Sequence, residues 1–131
     1  MIRIGFHISI SDGFVEAAKK AHILGCPTMQ IFTRNPRGWV SFWAIDPAEA
    51  AMFRPILARY DIGPLVVHMP YLPNLTSPDE ILYERSVAML RDELERAGQV
   101  GASYLVLHVG HRGNSSEEEA FVRVAVAIKS D

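Results

Sequence analysis

Residues 64–68 read Pro-Leu-Val-Val-His, and residues 104–109 read Tyr-Leu-Val-Leu-His-Val. Each is a short, continuous apolar run, which is typical of a strand buried on both faces, as in a parallel sheet. Two further runs of this kind, at about 2–7 and 28–32, complete a set of predicted strands. Because an amphipathic helix is predicted after each run, the chain reads as strand–helix units repeated fourfold. Parallel pairing with right-handed crossovers is therefore expected.

The predicted helices carry their own start signals. Asp46 and Ser77 are each followed by proline and, at the third position after the cap, by glutamate. This pattern indicates a capping side chain, a proline at the first helical position and a glutamate that reaches back to the cap. Ser115 and Ser116 precede three glutamates, which favour the positive end of a helix dipole.

The third helix is predicted to pack an apolar face on the sheet. Its apolar residues at helical spacing are Val87, Leu90, Leu94 and Ala97. The charged residues near them, Glu93 among them, fall largely elsewhere around the helix, so we expect them to form a solvated surface.

Composition excludes several classes of protein. The 131 residues are 49% hydrophobic and 21% charged, which fits one globular domain and not a disordered chain. No stretch approaches the ~18 apolar residues of a membrane span, and the first residues do not resemble a secretory signal. The single cysteine, Cys26, excludes an internal disulfide. A net charge of −2 argues against nucleic-acid binding through bulk charge but leaves a local basic site open. We expect a soluble, cytoplasmic chain.

Three of the predicted strands end in histidine, at equivalent positions. In parallel α/β folds the functional site lies beyond the carboxyl ends of the strands, where His7, His68 and His108 are expected. One such histidine is more often a packing residue, but three together favour a metal site, since neutral imidazole is a common zinc ligand. His22, within the first helix, and His111, in a loop, are expected to be surface or packing residues.

The connection from residue 33 to residue 45 is long enough to suggest a function. In a nucleic-acid-binding protein, Arg34 and Arg37 could supply charge, and Arg112, after the fourth strand, could add a phosphate contact. From the residues alone, ordinary surface charge is the preferred interpretation of these arginines. The connection is rich in aromatic residues, with Trp39, Phe42 and Trp43, of which Trp39 could offer stacking area or simply pack the loop.

The order of elements fits either an open doubly wound sheet or part of an eightfold barrel, and sequence motifs favour the barrel. The segments 5–9 (Gly-Phe-His-Ile-Ser), 32–39 (Phe-Thr-Arg-Asn-Pro-Arg-Gly-Trp), 68–75 (His-Met-Pro-Tyr-Leu-Pro-Asn-Leu) and 107–110 (Leu-His-Val-Gly) resemble the endonuclease IV family. Members of this family are zinc-dependent apurinic/apyrimidinic endonucleases. The motifs occur in the family's order and spacing along the whole chain. The predicted fold is thus α/β, with four βα units of a TIM-type (β/α)8 barrel forming a half-barrel with a parallel sheet.

The resemblance implies a cofactor and its ligands. Family members hold up to three zinc ions, and His68 and His108 match the two histidines that bind the first of them. His7 matches a histidine that lines the site without binding metal. Hydrolysis of the phosphodiester 5′ to abasic sites is the implied reaction.

The resemblance also implies contacts to double-stranded DNA. Arg37 and Tyr71 match side chains that push into the helix at the damaged site, and Asn35 lies on the same DNA-contacting loop. Because an abasic nucleotide has already lost its base, flipping it out of the duplex costs least there.

The length of the chain conflicts with a complete barrel, which typically needs ~250 residues. Residues 1–131 are therefore interpreted as a single N-terminal half-barrel, with the remainder of the barrel absent. Most of the family's metal-ligand positions, including a bridging glutamate, would lie beyond residue 131, so we expect the fragment alone to be inactive. Four parallel strands would leave two open edges, through which self-association is possible.

Two other functions stay open at this stage. One is a sugar isomerase- or epimerase-like barrel enzyme with one divalent metal, which would not need the pair Arg37 and Tyr71. The other is a non-catalytic half-barrel that serves as a binding or assembly module, which metal content would distinguish from the enzyme.

Overall fold

A computed structural model of the protein describes residues 1–40 and 44–130. Strands and helices alternate along this part of the chain. In order they are β1 (Phe6–His7), α1 (Phe14–Ile23), β2 (Met29–Ile31), α2 (Pro47–Arg59), β3 (Leu65–His68), α3 (Glu80–Val100), β4 (Tyr104–Val106) and α4 (Glu117–Lys129).

The strands of the described residues form one parallel sheet in the order β1-β2-β3-β4. Phe6 is in register with Met29, Met29 with Leu65, and Val66 with Tyr104. Each strand is joined to the next by a helix, as a right-handed βαβ crossover requires. The predicted fold class is confirmed: four βα units form a half-barrel with a parallel sheet.

Both outer strands are shorter than predicted. β1 begins at Phe6 and not near Ile2, and β4 ends at Val106 and not at Val109. The physical reason is that each has one strand neighbour in the described part of the chain, so its ladder extends only as far as that neighbour does. His68 pairs with Val106 at the last position of the β3–β4 ladder.

The main core lies between the sheet and the first two helices. Phe53, which is completely buried, packs against Phe14 with ring centroids 5.5 Å apart. Met29, Ile31 and Val67 supply the sheet side of this core. A smaller cluster that includes Met69, Leu75, Met89 and Leu90 fills the space between the end of β3 and α3. The two clusters fix the helices on the outer side of the sheet.

The start of α2 follows the prediction in part. Asp46 is the N-cap, its side chain accepts a hydrogen bond from the Ala48 N–H, and proline occupies the first turn. Glu49, however, does not reach back to Asp46. Its Oε1 instead accepts from the Phe14 N–H at 2.7 Å and so caps the start of α1. Gly13 allows this approach because a Cβ there would lie 2.7 Å from Glu49 Oε1.

The starts of the later helices give one correction and one confirmation. Asp79, not Ser77, is the N-cap of α3, since its Oδ1 accepts from the Leu82 N–H at 3.0 Å. The Ser77 hydroxyl instead accepts from the Asp79 N–H, just before the helix. At α4 the predicted capping sequence is confirmed, with Ser116 and Glu119 forming a reciprocal capping box.

The buried face of α3 differs from the prediction in two residues. Leu94 is exposed, whereas Glu93 is completely buried. Leu90 and Ala97 are buried as expected. Glu93 turns inward because the buried Arg34, which follows β2, compensates its charge.

Among residues 1–40 and 44–130, no helix combines the length and the apolar character that a membrane crossing requires.

Candidate functional site

Five aromatic or imidazole rings meet at the carboxyl ends of the strands, and we call them the ring cluster: His7, Phe32, His68, Tyr71 and His108. The His7 and Phe32 ring centroids are 4.5 Å apart, and those of Phe32 and His68 are 5.6 Å apart. Tyr71 lies 5.4 Å from Phe32 and 5.9 Å from His68, and His108 lies 5.2 Å from His68. The structure therefore brings together all three of the histidines that the sequence places at strand ends.

Strand register explains the centre of the ring cluster. Ile31 is paired with Val67, so the next residues, Phe32 and His68, lie level with each other on neighbouring strands. Side chains alternate between the faces of a strand, and these two point away from the helix-covered side that holds Ile31 and Val67. Phe32 opens the motif at residues 32–39, but its contact with both His68 and Tyr71 depends on this register.

His68 is largely buried and has a defined ring orientation. Its Nδ1 lies 2.6 Å from the Met69 carbonyl oxygen, which can only accept, so Nδ1 carries the proton and donates. In the neutral ring this leaves Nε2 with a free lone pair. A backbone carbonyl that accepts from the other ring nitrogen is the usual support of a metal-binding histidine.

His108 lies two residues beyond the end of β4, which corrects the prediction that it ends that strand. The sheet ladder therefore does not position it. The hydrogen bond from the Leu75 N–H to the Val109 carbonyl, 2.9 Å long, holds the chain just after His108 against the loop that follows β3. The His108 side chain is exposed and lies next to His68.

His7 presents a different atom to the site. The Gln30 side chain has its Nε2 at 2.9 Å from His7 Nδ1, and an amide N–H can only donate. Nδ1 of His7 thus accepts, and the neutral ring carries its proton on Nε2. Burial, with a smaller contribution from the neighbouring His68, lowers the pKa of His7, which favours this neutral form. The geometry suits the site-lining role of His7, which stays a prediction.

Asn35, Arg37 and Tyr71 lie on two adjoining loops. Asn35 Oδ1 accepts from the Arg37 N–H at 3.0 Å, which fixes a tight turn. The Tyr71 N–H donates to the Pro36 carbonyl at 3.1 Å and ties the loop after β3 to the loop after β2. The side chains of Arg37 and Tyr71 are both exposed, and Tyr71 is itself a member of the ring cluster.

Arg34 corrects the prediction that it faces a nucleic acid. It is buried and forms ion pairs with the completely buried Glu93 and with Asp92 on α3. The Thr33 hydroxyl donates to the same Glu93 carboxylate at 3.0 Å. Arg96 donates to Thr33 as well, and its own pKa is lowered by burial first and by the Arg34 charge second. Arg34 therefore anchors the base of the loop that carries Arg37.

Trp39 is a packing residue in this structure. It packs against the cluster that includes Met69 and Leu75, and the Arg85 guanidinium lies 4.3 Å from its ring centroid. This corrects the expectation that Trp39 offers free stacking area. The other aromatic residues named for this loop, Phe42 and Trp43, lie outside the described residues.

The remaining polar residues named from the sequence are exposed. His22 stacks on Tyr60 on the helical side, with centroids 3.9 Å apart. Arg112 donates to the Ser115 carbonyl, and its phosphate contact stays a prediction. His111 is on the loop after β4 as expected, and its backbone is bonded to Asn74.

The described part of the chain supplies two histidines that suit a metal but not a complete ligand set. Within it, no three His, Cys, Asp or Glu side chains come together as a group that could hold a metal ion. The metal-ligand role of His68 and His108 stays a prediction.

These features define a class of protein: a parallel α/β barrel segment whose polar site lies at the carboxyl ends of its strands. Residues 17–130 match the family model of the xylose isomerase-like TIM barrel, and the chain belongs to that family.

Relatives within the family confirm the resemblance found in the motifs. The chain is 46% identical over 128 residues to the probable endonuclease 4 of Methanoculleus marisnigri, which covers 98% of this chain and 45% of the relative. It is 47% identical to the probable endonuclease 4 of Methanosphaerula palustris, with 98% and 44% covered. The chain thus spans somewhat less than half the length of these relatives.

Solved structures give the same result at the level of the fold. The crystal structure of endonuclease IV from Thermus thermophilus matches with a TM-score of 0.83 and 36% identity, covering 98% of this chain and 47% of that one. An L-ribulose 3-epimerase matches with a TM-score of 0.70 at 18% identity, a likeness that concerns the fold alone.

Proposed function

We propose that the chain forms the first half of an endonuclease IV-type DNA repair enzyme that hydrolyses the phosphodiester 5′ to abasic sites. The observation that carries the proposal is the ring cluster. In it, His68 and His108 lie side by side and Tyr71 is exposed, while Arg37 is exposed on the loop bonded to Tyr71. The names of the relatives, which are endonuclease 4 proteins matching nearly the whole chain, support the same class of activity.

The donor set fits zinc in kind. His68 would offer Nε2, because its Nδ1–H donates a hydrogen bond to the Met69 carbonyl. His108 would offer a second imidazole nitrogen from the neighbouring loop. Zinc takes four ligands in most protein sites, so further ligands would come from beyond residue 131 in a longer protein. When bound, zinc ions supply an activated water and neutralise phosphate charge.

The chain's own residues would recognise the damaged duplex. Arg37 and Tyr71 project from loops that are tied together by the Pro36–Tyr71 backbone bond, so both can enter the duplex as a unit. Unstacking costs a few kcal/mol per step, and it costs least where the base is missing. Asn35, which shapes the turn at Arg37, belongs to the same DNA-contacting loop.

The isolated chain is proposed to lack significant activity, because two histidines leave a zinc ion with an incomplete shell. It is also proposed to self-associate through its outer strands, where Ile4 and Val106 are exposed beside unpaired strand edges. Sedimentation of the purified chain tests the proposed self-association, and a monomer at all concentrations would refute it. Incision of abasic duplex by the purified chain at rates near those of a complete enzyme would refute the proposed lack of activity.

A chimaera tests the proposed activity in a complete barrel. The chain replaces the matching segment of the Methanoculleus marisnigri relative, and the product is assayed on duplex DNA with one abasic site. We expect incision 5′ to that site and, in His68→Ala and His108→Ala variants, lower zinc content and lower activity. His22→Ala, an exposed histidine outside the ring cluster, is the matched control. A folded, metal-loaded chimaera that does not distinguish abasic from undamaged duplex would refute the proposal.

A further inference from the structure

The side chain of Asn74 joins the loop after β3 to the loop after β4. Its Nδ2 donates to the His111 carbonyl at 2.8 Å, and its Oδ1 accepts from the His111 N–H at 3.1 Å. One amide side chain thus bonds to both backbone groups of His111. The adjacent backbone bond from the Leu75 N–H to the Val109 carbonyl adds a third link between the same loops.

Asn74 is itself held from its own side. The Thr76 N–H and hydroxyl donate to Asn74 Oδ1 at 3.0 and 2.7 Å. The Asn74 N–H donates to the Ser86 hydroxyl at 2.8 Å, and Ser86, which is completely buried in α3, donates to the Leu82 carbonyl. The amide therefore rests on a packed helix and not on a free loop.

The loop after β4 is shaped to receive this amide. Gly110 has a φ of +111°, and a Cβ at that position would lie 2.0 Å from Asn74 Oδ1. Any side chain at residue 110 would both strain the backbone and displace the amide. Gly110 and Asn74 therefore depend on each other.

We infer that Asn74 is a positioning residue, which holds the chain beyond His108 so that the His108 ring lies against His68. The β4 ladder ends at Val106, so the sheet does not fix His108. The hydrogen bonds from Asn74 and Leu75 to the loop after β4 hold this part of the chain instead. The consequence for catalysis rests on the proposed metal-ligand role of the two histidines. The positioning itself is a property of this chain and can be measured without metal.

The decisive variant is Asn74→Asp, which keeps the shape of the side chain but loses the amide N–H that bonds to the His111 carbonyl. The matched control is Asn114→Asp, an exposed asparagine in the loop after β4. In NMR spectra of the 131-residue chain, we expect the nuclear Overhauser contact between the His68 and His108 rings to be lost in Asn74→Asp and kept in the control. The Phe14–Phe53 contact should persist in both and shows that the core is intact.

Two further measurements separate positioning from the metal assignment. Protection of the His111 amide from hydrogen exchange is expected in the parent chain, and its absence there would overturn the inference even if Asn74→Asp fails to fold. In the chimaera, which supplies the remaining barrel, a zinc titration should show at least about tenfold weaker binding in Asn74→Asp than in the parent, as for other supporting residues of metal sites. An unchanged ring contact in Asn74→Asp would also overturn the inference. A folded parent chimaera that binds no zinc would count against the metal assignment alone, because the ring contact in the 131-residue chain still decides the positioning.

Discussion

An arginine anchors the backbone at each end of the parallel sheet, but the two arginines do so in opposite ways. At the amino ends, Arg3 lies at the surface and donates to the carbonyls of Pro27, Asp61 and Gly63 and to the Asp61 carboxylate. At the carboxyl ends, Arg34 lies beneath the surface, where it pairs with the completely buried Glu93.

The difference shows how the molecule keeps one end available for ligands. At the amino ends, the arginine donates to three backbone carbonyls at the surface and so joins the segments that carry them. At the carboxyl ends, the buried ion pair holds the loop from below, so the side chains above it stay exposed. Stability in barrels is associated with the first end and function with the second, and the variants below test that division.

The largest effect is expected from Glu93→Ala. Loss of this carboxylate leaves the buried Arg34 without its buried partner, and breaking such a pair costs about 3–5 kcal/mol. Denaturant unfolding of the purified variant measures the loss. Glu95→Ala, an exposed residue of the same helix, should change the free energy of unfolding by no more than about 0.5 kcal/mol. A loss below about 1 kcal/mol in Glu93→Ala, on the order of one ordinary hydrogen bond, would mean that solvent reaches the pair and that the comparison fails.

A smaller loss is expected from Arg3→Ala. Its hydrogen bonds are partly solvated, so their removal should cost about 1–2 kcal/mol. The contact between the His68 and His108 rings should be unchanged, because Arg3 lies at the other end of the sheet. Unfolding and NMR spectra of the same sample check both points. Arg59→Ala, an exposed arginine in the last turn of α2, serves as the control for charge. Loss of the ring contact in Arg3→Ala would show that the two ends are coupled.

Arg37→Ala should leave stability within about 0.5 kcal/mol of the parent, since its side chain is exposed. In the chimaera it should reduce the preference for abasic over undamaged duplex while zinc content stays the same. Tyr71→Ala should act in the same direction but less cleanly, because Tyr71 is three residues from His68. Titrations at matched salt are required, since phosphate contacts elsewhere remain salt-dependent. An unchanged preference in Arg37→Ala would remove the penetrating role and favour a sugar-converting barrel.

The smallest effect concerns the capping box of α4. The Ser116 N–H, bonded to Glu119 at 2.9 Å, and then the Ser116 side chain lower the pKa of Glu119. A carboxylate with a lowered pKa stabilises the fold above its unfolded pKa of about 4.3 and loses that contribution as the pH falls through its folded value. Glu119→Gln keeps an acceptor for Ser116 but does not titrate, so the acid-dependent fraying of α4 should become smaller. Hydrogen exchange of the Ser116 amide from neutral to acidic pH checks this, and identical profiles would contradict it.

The sequence predicted the fold well because its signals are local. Apolar runs such as residues 64–68 identify strands without reference to the rest of the chain, and the Ser116–Glu119 capping box lies within a single turn. The placement of the three histidines at one end of the sheet also follows once the strands are known to be parallel, since their carboxyl ends then lie at one edge.

What the sequence did not predict depends on distant partners. Glu93 was assigned to the surface because its partner Arg34 is 59 residues away. Asn74 contacts His111 across 37 residues, and nothing in either segment alone indicates the pair. The end of β4 depends on the length of β3, so His108 was placed on a strand that stops before it. Each error concerns a contact that forms only after the units have packed.

The hydrogen bond from the Phe14 N–H to Glu49 has a consequence for how barrels of this kind can be recombined. Glu49 belongs to the second βα unit, yet it completes the first helix, so the first unit is not self-sufficient. If only that unit is transferred into a relative, the start of α1 loses its acceptor unless the relative's own second unit carries a carboxylate at the position of Glu49. The smallest interchangeable piece at this end of the protein is therefore a pair of adjacent units, inherited together.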